Sequence, residues 1–282
     1  MIRIIADTTC ALPREITRKL GIPILPQIII FGEESFRDDT ELTTELFLKK
    51  LRSSAVLPKT AAPPPALYAP IFREILDRGD TPFVLCPSAD VSGTLRSAEV
   101  AAQDFPGAGI RILDTRTVAG TLGSAVLLAD RWAKQGLPME EMLSRLENLR
   151  IQQRTYFVVD TLEYLHKGGR IGGAKRLVGE VLQVKPILRL QEGRVEAYEQ
   201  QRTRTRALAR LQELVSGECP QGEGSFLCVM QADAKDTASE LADGFKSRMQ
   251  IKEVPIYELP PAIVVHGGPG TLAVGFYAQP IR

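Results

Sequence analysis

Pro82-Phe83-Val84-Leu85-Cys86 is an apolar run, and Pro87-Ser88-Ala89-Asp90-Val91-Ser92-Gly93-Thr94 follows it with small, polar residues. The run has the length of a buried strand. Ser92-Gly93-Thr94 then opens a helix to about Asp104, because a serine or threonine oxygen can accept the free N–H groups of a first helical turn. The same alternation recurs on both sides of this segment. Ile2 to Ala6 reads as a buried strand with Asp7-Thr8-Thr9-Cys10 at its end, and Pro13 stands near a helix start. Ile22 to Phe31 reads as one or two strand pieces broken by Pro26. Thr43 caps a helix through about Arg52, and a further helix runs from Pro65 to Arg78 with Gly79 at its C-terminal end. Ile110 to Leu113 is a strand ending at Asp114, followed by a helix over Ala119 to Lys134. Short apolar runs alternating with amphipathic helices predict an α/β fold, with a parallel α/β/α domain over residues 1–150.

Beyond that boundary the pattern changes. Pro138 starts a helix that ends at about Gln152. Lys185–Leu190 and Arg194–Gln200 flank Gln191-Glu192-Gly193 as a hairpin. Helices near Arg204–Val215 and Thr237–Arg248 alternate with strands at Phe226–Gln231 and Ile251–Tyr257. The apolar run Ala262-Ile263-Val264-Val265 reads as a buried strand, so two strands flank the loop His266-Gly267-Gly268-Pro269-Gly270. These elements predict a second domain over residues 151–282, a two-layer α/β unit whose sheet is mostly antiparallel with helices on one face.

At 282 residues and 44% apolar content the chain can bury two substantial cores. Its 35 basic and 34 acidic residues leave a net charge of +1, so no bulk field would hold nucleic acid or an anionic membrane. Cys10, Cys86, Cys219 and Cys228 form no CxxC pair and no zinc spacing with the two histidines, which points to a reducing, cytoplasmic location. The N-terminal apolar run is too short for a signal segment, and no run approaches a membrane span. There is no Walker motif, no G-x-S-x-G elbow, and no second aspartate two residues after Asp7. Gly268-x-Gly270-x-x-Ala273 matches a dinucleotide pattern on paper, but only nine residues follow Ala273, too few for a βαβ unit. No cofactor is expected.

Four segments place small polar residues and glycine at the end of an apolar run, Asp7–Cys10, Ser92–Thr94, Lys167-Gly168-Gly169-Arg170-Ile171-Gly172-Gly173 and His266–Gly270, and Lys59-Thr60-Ala61-Ala62-Pro63 stands between the first two of them. In this order they resemble the DegV family, which includes the fatty-acid-binding subunits of bacterial fatty acid kinase. The resemblance implies a lipid carrier rather than an enzyme, with a tunnel for one long-chain fatty acid between the two domains. It implies that hydroxyls at Thr60 and Ser92 hold the carboxylate, with Gly93 and Thr94 in the same loop and Arg170 and His266 near the head group. It also implies a separate ATP-dependent kinase as partner, approached through the basic run that contains Arg202.

The chemistry is coherent. A carboxylate has about four acceptor sites for such donors, and each buried CH₂ contributes about 0.8 kcal/mol. Two departures stand out: the segment after Thr60 usually continues Ser-Gln-Pro-Ser but here reads Ala61-Ala62-Pro63-Pro64, and a usual serine pair is Ser88-Ala89.

Plainer readings exist for each residue. Ser92 and Thr117 are good helix caps, and His266 suits a loop residue bonding local backbone. Arg170 suits a solvated charge, and Asp7 a structural acceptor for the following helix. Cys10 suits a small buried filler, and His166 an exposed helix end. Arg202, Arg204 and Arg206 suit a solvated face, on which a helix would align Arg202 with Arg206. A different functional class, an acyl hydrolase or transferase using Ser92 and His266, is also compatible with the sequence, as is a lipid-sensing regulatory module.

Overall fold

The computed structural model describes residues 1–177 and 184–281. The chain divides into two compact units, one comprising Met1–Ile151 with Pro260–Ala262 and the other Gln152–Leu259 with Ile263–Arg282.

The first unit contains β1 (Ile2–Asp7), α1 (Arg14–Leu20), β2 (Ile24–Leu25), β3 (Ile28–Phe31), β4 (Glu34–Arg37), α2 (Thr44–Ser53) and β5 (Lys59–Ala61). It continues with α3 (Tyr68–Asp77), β6 (Thr81–Cys86), α4 (Thr94–Ala102), β7 (Arg111–Asp114), α5 (Ala119–Lys134) and α6 (Met139–Gln152). Four strands form a parallel sheet in the order β2-β1-β6-β7. Ile5, Leu25, Val84 and Cys86 pack on one face against Tyr68, Phe72 and Ile75 of α3 and Ala98 and Ala101 of α4. On the other side α5 contacts β1 and the 3-10 turn Thr8–Cys10. Near-continuous burial along β1 and β6 follows from this double cover.

A second, antiparallel sheet, β4-β3-β5, has no counterpart in the expected layout. Its strands are three to four residues long and β4 is largely polar, which leaves little periodic signal. Helix starts also differ in detail. Thr43 caps α2 through Leu46 N–H as expected, at 3.2 Å. Gly93 and Val118, not Ser92 and Thr117, occupy the cap positions of α4 and α5, and neither cap has a side-chain bond.

The second unit contains β8 (Gln153–Val158), α7 (Glu163–Lys167), β9 (Lys185–Gln191), β10 (Arg194–Gln201), α8 (Arg204–Glu218) and β11 (Leu227–Gln231). After these come α9 (Lys235–Met249), β12 (Ile256–Glu258), α10 (Pro261–Gly267), whose first residues the division above assigns to the first unit, and β13 (Leu272–Tyr277). The sheet order is β10-β9-β8-β13-β11-β12, antiparallel except for β11 with β12. Helices α8 and α9 cover one face through Leu211, Val215, Leu241 and Phe245. Part of the other face lies under Leu165, Ile171 and Ala174. The hairpin turn has positive φ at both Glu192 and Gly193, at 47° and 82°, as a two-residue turn of the right twist requires.

One expectation is corrected here, and one strand is added. Ala262–Val265 is not a strand but the body of α10, and His266 sits in its last turn. A four-residue apolar run carries no period, and Pro261 at the first helical position favours the helix. Strand β8 went unread because Gln153 and Arg154 open it with polar side chains directly after α6. Among the described residues no helix is long and apolar enough to cross a membrane.

Candidate functional site

In the first unit the chain leaves β1 toward β2 on one side, while β6 lies on the other side of β1. The carboxyl ends of β1 and β6 therefore flank a topological switch point, the place where open α/β sheets take their ligands. Asp7 ends β1, and the Ser92 loop lies between β6 and α4. Asp7 is fully buried. Its Oδ1 accepts from Thr9 N–H at 3.0 Å and from the Thr9 hydroxyl. Its Oδ2 accepts from Gln27 Nε2 and from the Thr94 hydroxyl, each at 2.6 Å. Gln27 Nε2 also reaches Thr94 Oγ1 at 2.9 Å. Burial pushes the Asp7 carboxyl up from its usual range, against the opposing pull of the Thr9, Thr94 and Gln27 donors.

Ser92 stands one step further out and is half-buried. Its Oγ lies 3.0 Å from Thr94 Oγ1 and accepts from Thr94 N–H at 3.3 Å. Neither partner is a base of the kind that activates an acyl-transfer serine. Asp38 backs the same region: it accepts from the Thr8 hydroxyl at 2.8 Å and from Gln27 N–H at 2.9 Å. Burial, with the charge of Asp7 adding to it, raises the Asp38 carboxyl to about 7.

Thr60 lies in β5, paired with Ile29 of β3 and half-buried. The segment after it docks on the start of α4, where the Ser97 hydroxyl donates to the Pro63 carbonyl. A Cβ on Gly93 would meet only Ala62 Cβ, at 3.5 Å. Ala61 and Ala62 therefore leave the docking of this segment intact while removing side-chain donors.

In the second unit His266 lies in the last turn of α10, and the glycines after it are clamped. Gly268 has φ +79°, and a Cβ there would lie 2.5 Å from Tyr164 Cδ2. Gly270 also has φ +79°, and a Cβ there would strike the Asp160 carboxylate. Arg204 ties Asp160 to the Gly270 carbonyl, accepted at 2.5 Å. The Thr271 hydroxyl donates to the Gly267 and Gly268 carbonyls at 2.9 and 2.8 Å. Gly168 packs directly against the His266 ring, which leaves no room for a Cβ. Arg170 Nη1 donates to the Gly168 carbonyl at 2.8 Å. Burial, with the Arg170 charge second, lowers His266 to about 4. The imidazole is therefore neutral at pH 7, and Arg170 is the cation of this cluster.

The two clusters sit on a chain whose residues 1–279 match the family model described as "Uncharacterised protein, DegV family". The chain belongs to the DegV family. It is similar to a DegV domain-containing protein of Streptomyces coelicolor, 35% identical over 275 residues and covering 97% of each chain. A solved DegV family protein from Thermus thermophilus, described by its fatty acid binding, matches with a TM-score of 0.90 at 32% identity, covering 99% of each chain. DegV of Bacillus subtilis, described as a fatty acid binding protein, matches with a TM-score of 0.86 at 26% identity, covering 98% of this chain and 99% of that one.

Within this DegV protein the first unit brings Ser92, Gly93 and Thr94 together, with the Thr60 segment docked beside them. The second unit brings Arg170 and His266 together. Thr94 is buried behind Ser92, its hydroxyl directed to Asp7, Gln27 and Ser92 rather than outward.

Arg202 is exposed, but it precedes Thr203, the cap of α8, so it does not share a helical face with Arg206. Arg204, read from sequence as part of one solvated run, anchors the Gly270 loop instead. Gln27 and Asp38 escaped the sequence reading. Gln27 had a usable signal: it is the one polar residue inside Ile22–Phe31, and a polar group in an apolar run needs a partner. Among the described residues no group of three or more His, Cys, Asp or Glu side chains could hold a metal ion.

Proposed function

We propose that this DegV protein is a fatty-acid carrier: it binds one long-chain fatty acid and presents the carboxyl group to a separate ATP-dependent kinase, which forms the acyl phosphate. The observation that carries the reading is the Ser92 loop. It offers a half-buried hydroxyl at the switch point of a parallel sheet, held by the buried Asp7–Gln27–Thr94 network. The fatty-acid binding described for the Thermus thermophilus and Bacillus subtilis relatives supports it. In this reading Ser92 and Thr60 contact the head group, Gly93 lets it approach, and Thr94 positions Ser92. Arg170 and His266 are the head-group residues carried over from the family for the second unit. Arg202, exposed before α8, is the contact offered to the kinase.

Solvent extraction and mass spectrometry of purified protein test the reading directly, with about one free fatty acid per chain expected. Ser92→Ala should weaken binding about ten- to a hundredfold, the value of a hydrogen bond to a charged group at about 1.5–3 kcal/mol. Arg202→Ala should leave lipid binding unchanged and slow kinase-dependent acyl-phosphate formation. Preparations that neither carry nor take up oleate or palmitate would end the carrier reading. A covalent acyl adduct on Ser92 would replace it with an acyl-transfer enzyme.

A further inference from the structure

Thr94 Oγ1 touches three groups: Asp7 Oδ2 at 2.6 Å, Gln27 Nε2 at 2.9 Å and Ser92 Oγ at 3.0 Å. A hydroxyl has one proton to give and two lone pairs. An ionised Asp7 can only accept, and all four of its acceptor directions are taken, by Thr9 N–H, the Thr9 hydroxyl, Gln27 and Thr94. The single hydroxyl proton of Thr94 therefore points to Asp7. Gln27 Nε2 lies 2.6 Å from Asp7 Oδ2 and 2.9 Å from Thr94 Oγ1, which are themselves 2.6 Å apart, so a single Gln27 N–H is shared between the two. The remaining lone pair of Thr94 faces Ser92 Oγ at 3.0 Å, and in this order the Ser92 hydroxyl proton fills it. Ser92 itself accepts from Thr94 N–H at 3.3 Å. What Ser92 then offers outward is a lone pair, and a carboxylate has no proton to give it.

The same heavy-atom positions satisfy the opposite order. With a proton on Asp7 Oδ2, Asp7 donates to Thr94, Thr94 donates to Ser92, and the Ser92 proton is free for a ligand. Gln27 keeps its shared bond. Only hydroxyl protons turn; no side chain moves.

We propose that Asp7, Thr94 and Ser92 form a reversible proton chain that couples binding of an acyl carboxylate at Ser92 to uptake of one proton. The proposal rests on the reading that Ser92 meets the head group. In the bound state Asp7 holds the proton and the carboxylate oxygens stay unprotonated, the form a phosphoryl acceptor needs.

The titratable groups around Asp7 are Asp38, which shares Thr8 and Gln27 with this region, Cys10 in the turn after β1, Cys86 at the end of β6, and Tyr68 at the start of α3. Asp38 lies at about 7 and is ionised above that. Burial holds Cys10 up at about 12 and pushes Cys86 and Tyr68 well up, so all three stay neutral at moderately alkaline pH.

The test uses the full chain, stripped of lipid, and a fluorescent polyene C18 fatty acid kept monomeric. Its own carboxyl resembles that of glutamate at about 4.3, so it is ionised throughout a window of about pH 7.5 to 9.5. The dissociation constant should rise toward tenfold per pH unit, the slope of one linked proton. Calorimetry in two buffers of different ionisation heat should find about one proton taken up per ligand. Asp7→Asn removes the titrating proton and should bind with a flat pH profile and no proton uptake; the Gln27 amide, whose nitrogen would face the new amide nitrogen, turns over to accept from it. Thr94→Val cuts the chain and should also flatten the profile, which keeps the test available if the Asp7→Asn variant does not fold. A flat wild-type profile, or an undiminished slope in Thr94→Val, would overturn the proton chain while leaving the carrier reading in place. Absence of lipid binding at every pH, or unchanged affinity in Ser92→Ala, would remove the head-group reading and the proposal with it.

Discussion

Gly268→Ala probes the clamp that holds the residue after His266 and Gly267. Gly268 has φ +79° and stands just beyond the end of α10, where its N–H donates to the Val264 carbonyl at 2.8 Å. An alanine in this left-handed conformation costs about 1–2 kcal/mol. Its Cβ would also lie 2.5, 2.9 and 3.0 Å from Cδ2, Cε2 and Cγ of Tyr164. Three ring atoms at this range cannot be cleared by a small torsion, so the tyrosine or the loop must move, an overpacking cost of about 1–3 kcal/mol. The expected total is about 3 kcal/mol. With a urea slope of about 2 kcal/mol per molar, the unfolding midpoint should fall by about 1.5 M.

Far-UV circular dichroism is the right readout, because the single tryptophan, Trp132, lies in α5 of the first unit and does not report on this loop. The overlap component is separable from the backbone component. In a double-mutant cycle with Tyr164→Ala, about half of the Gly268→Ala cost should disappear, and the left-handed penalty should remain. A cost below about 1 kcal/mol, or one that Tyr164→Ala leaves unchanged, would refute the reasoning, since each component alone exceeds or is tied to those outcomes.

Two further effects follow from buried polar groups. His266 is lowered to about 4, so the unfolded chain takes up a proton that the folded chain refuses, and stability should fall as pH drops from about 6.5 to about 4. Asp38 is raised to about 7, so the folded state holds its proton longer, and stability should fall as pH rises from about 3.9 to about 7. The two slopes oppose each other. Denaturant titrations should therefore show a steeper acid loss in Asp38→Asn and a reduced one in His266→Gln; parallel pH profiles for both variants and wild type would contradict both shifts. Tyr68 Oη is fully buried and has no hydrogen-bond partner among the described residues. Tyr68→Phe should raise stability by about 1 kcal/mol, since an unpaired buried hydroxyl costs about 1–3 kcal/mol, and a lower melting temperature would show that the hydroxyl has a stabilising role.

The local alternation of apolar runs and amphipathic stretches was enough to place β1, β6, β7 and α5, and through them the parallel sheet. β1 and β6 are doubly covered and so almost continuously buried, and α5 has the length of a helix. The hairpin of β9 and β10 was legible because Glu192-Gly193 names its own turn, and Thr43 named the start of α2. The five short segments of small residues identified the family, because each keeps its composition close together in the chain.

What the sequence left undecided is non-local. Asp7 meets Gln27 across twenty positions and Thr94 across eighty-seven, and nothing in either neighbourhood specifies that these side chains share two protons. Arg204 reads as surface charge until the fold brings Asp160 and the Gly270 carbonyl to it from 44 and 66 positions away. Ala262–Val265 is as apolar as a strand, and only its setting between Pro261 and the clamped glycines makes it a helix. Local periodicity sets which face of an element is apolar. Which polar groups meet is decided when the sheet aligns the ends of its strands, because only there do burial and hydrogen-bond valence act on residues far apart in sequence.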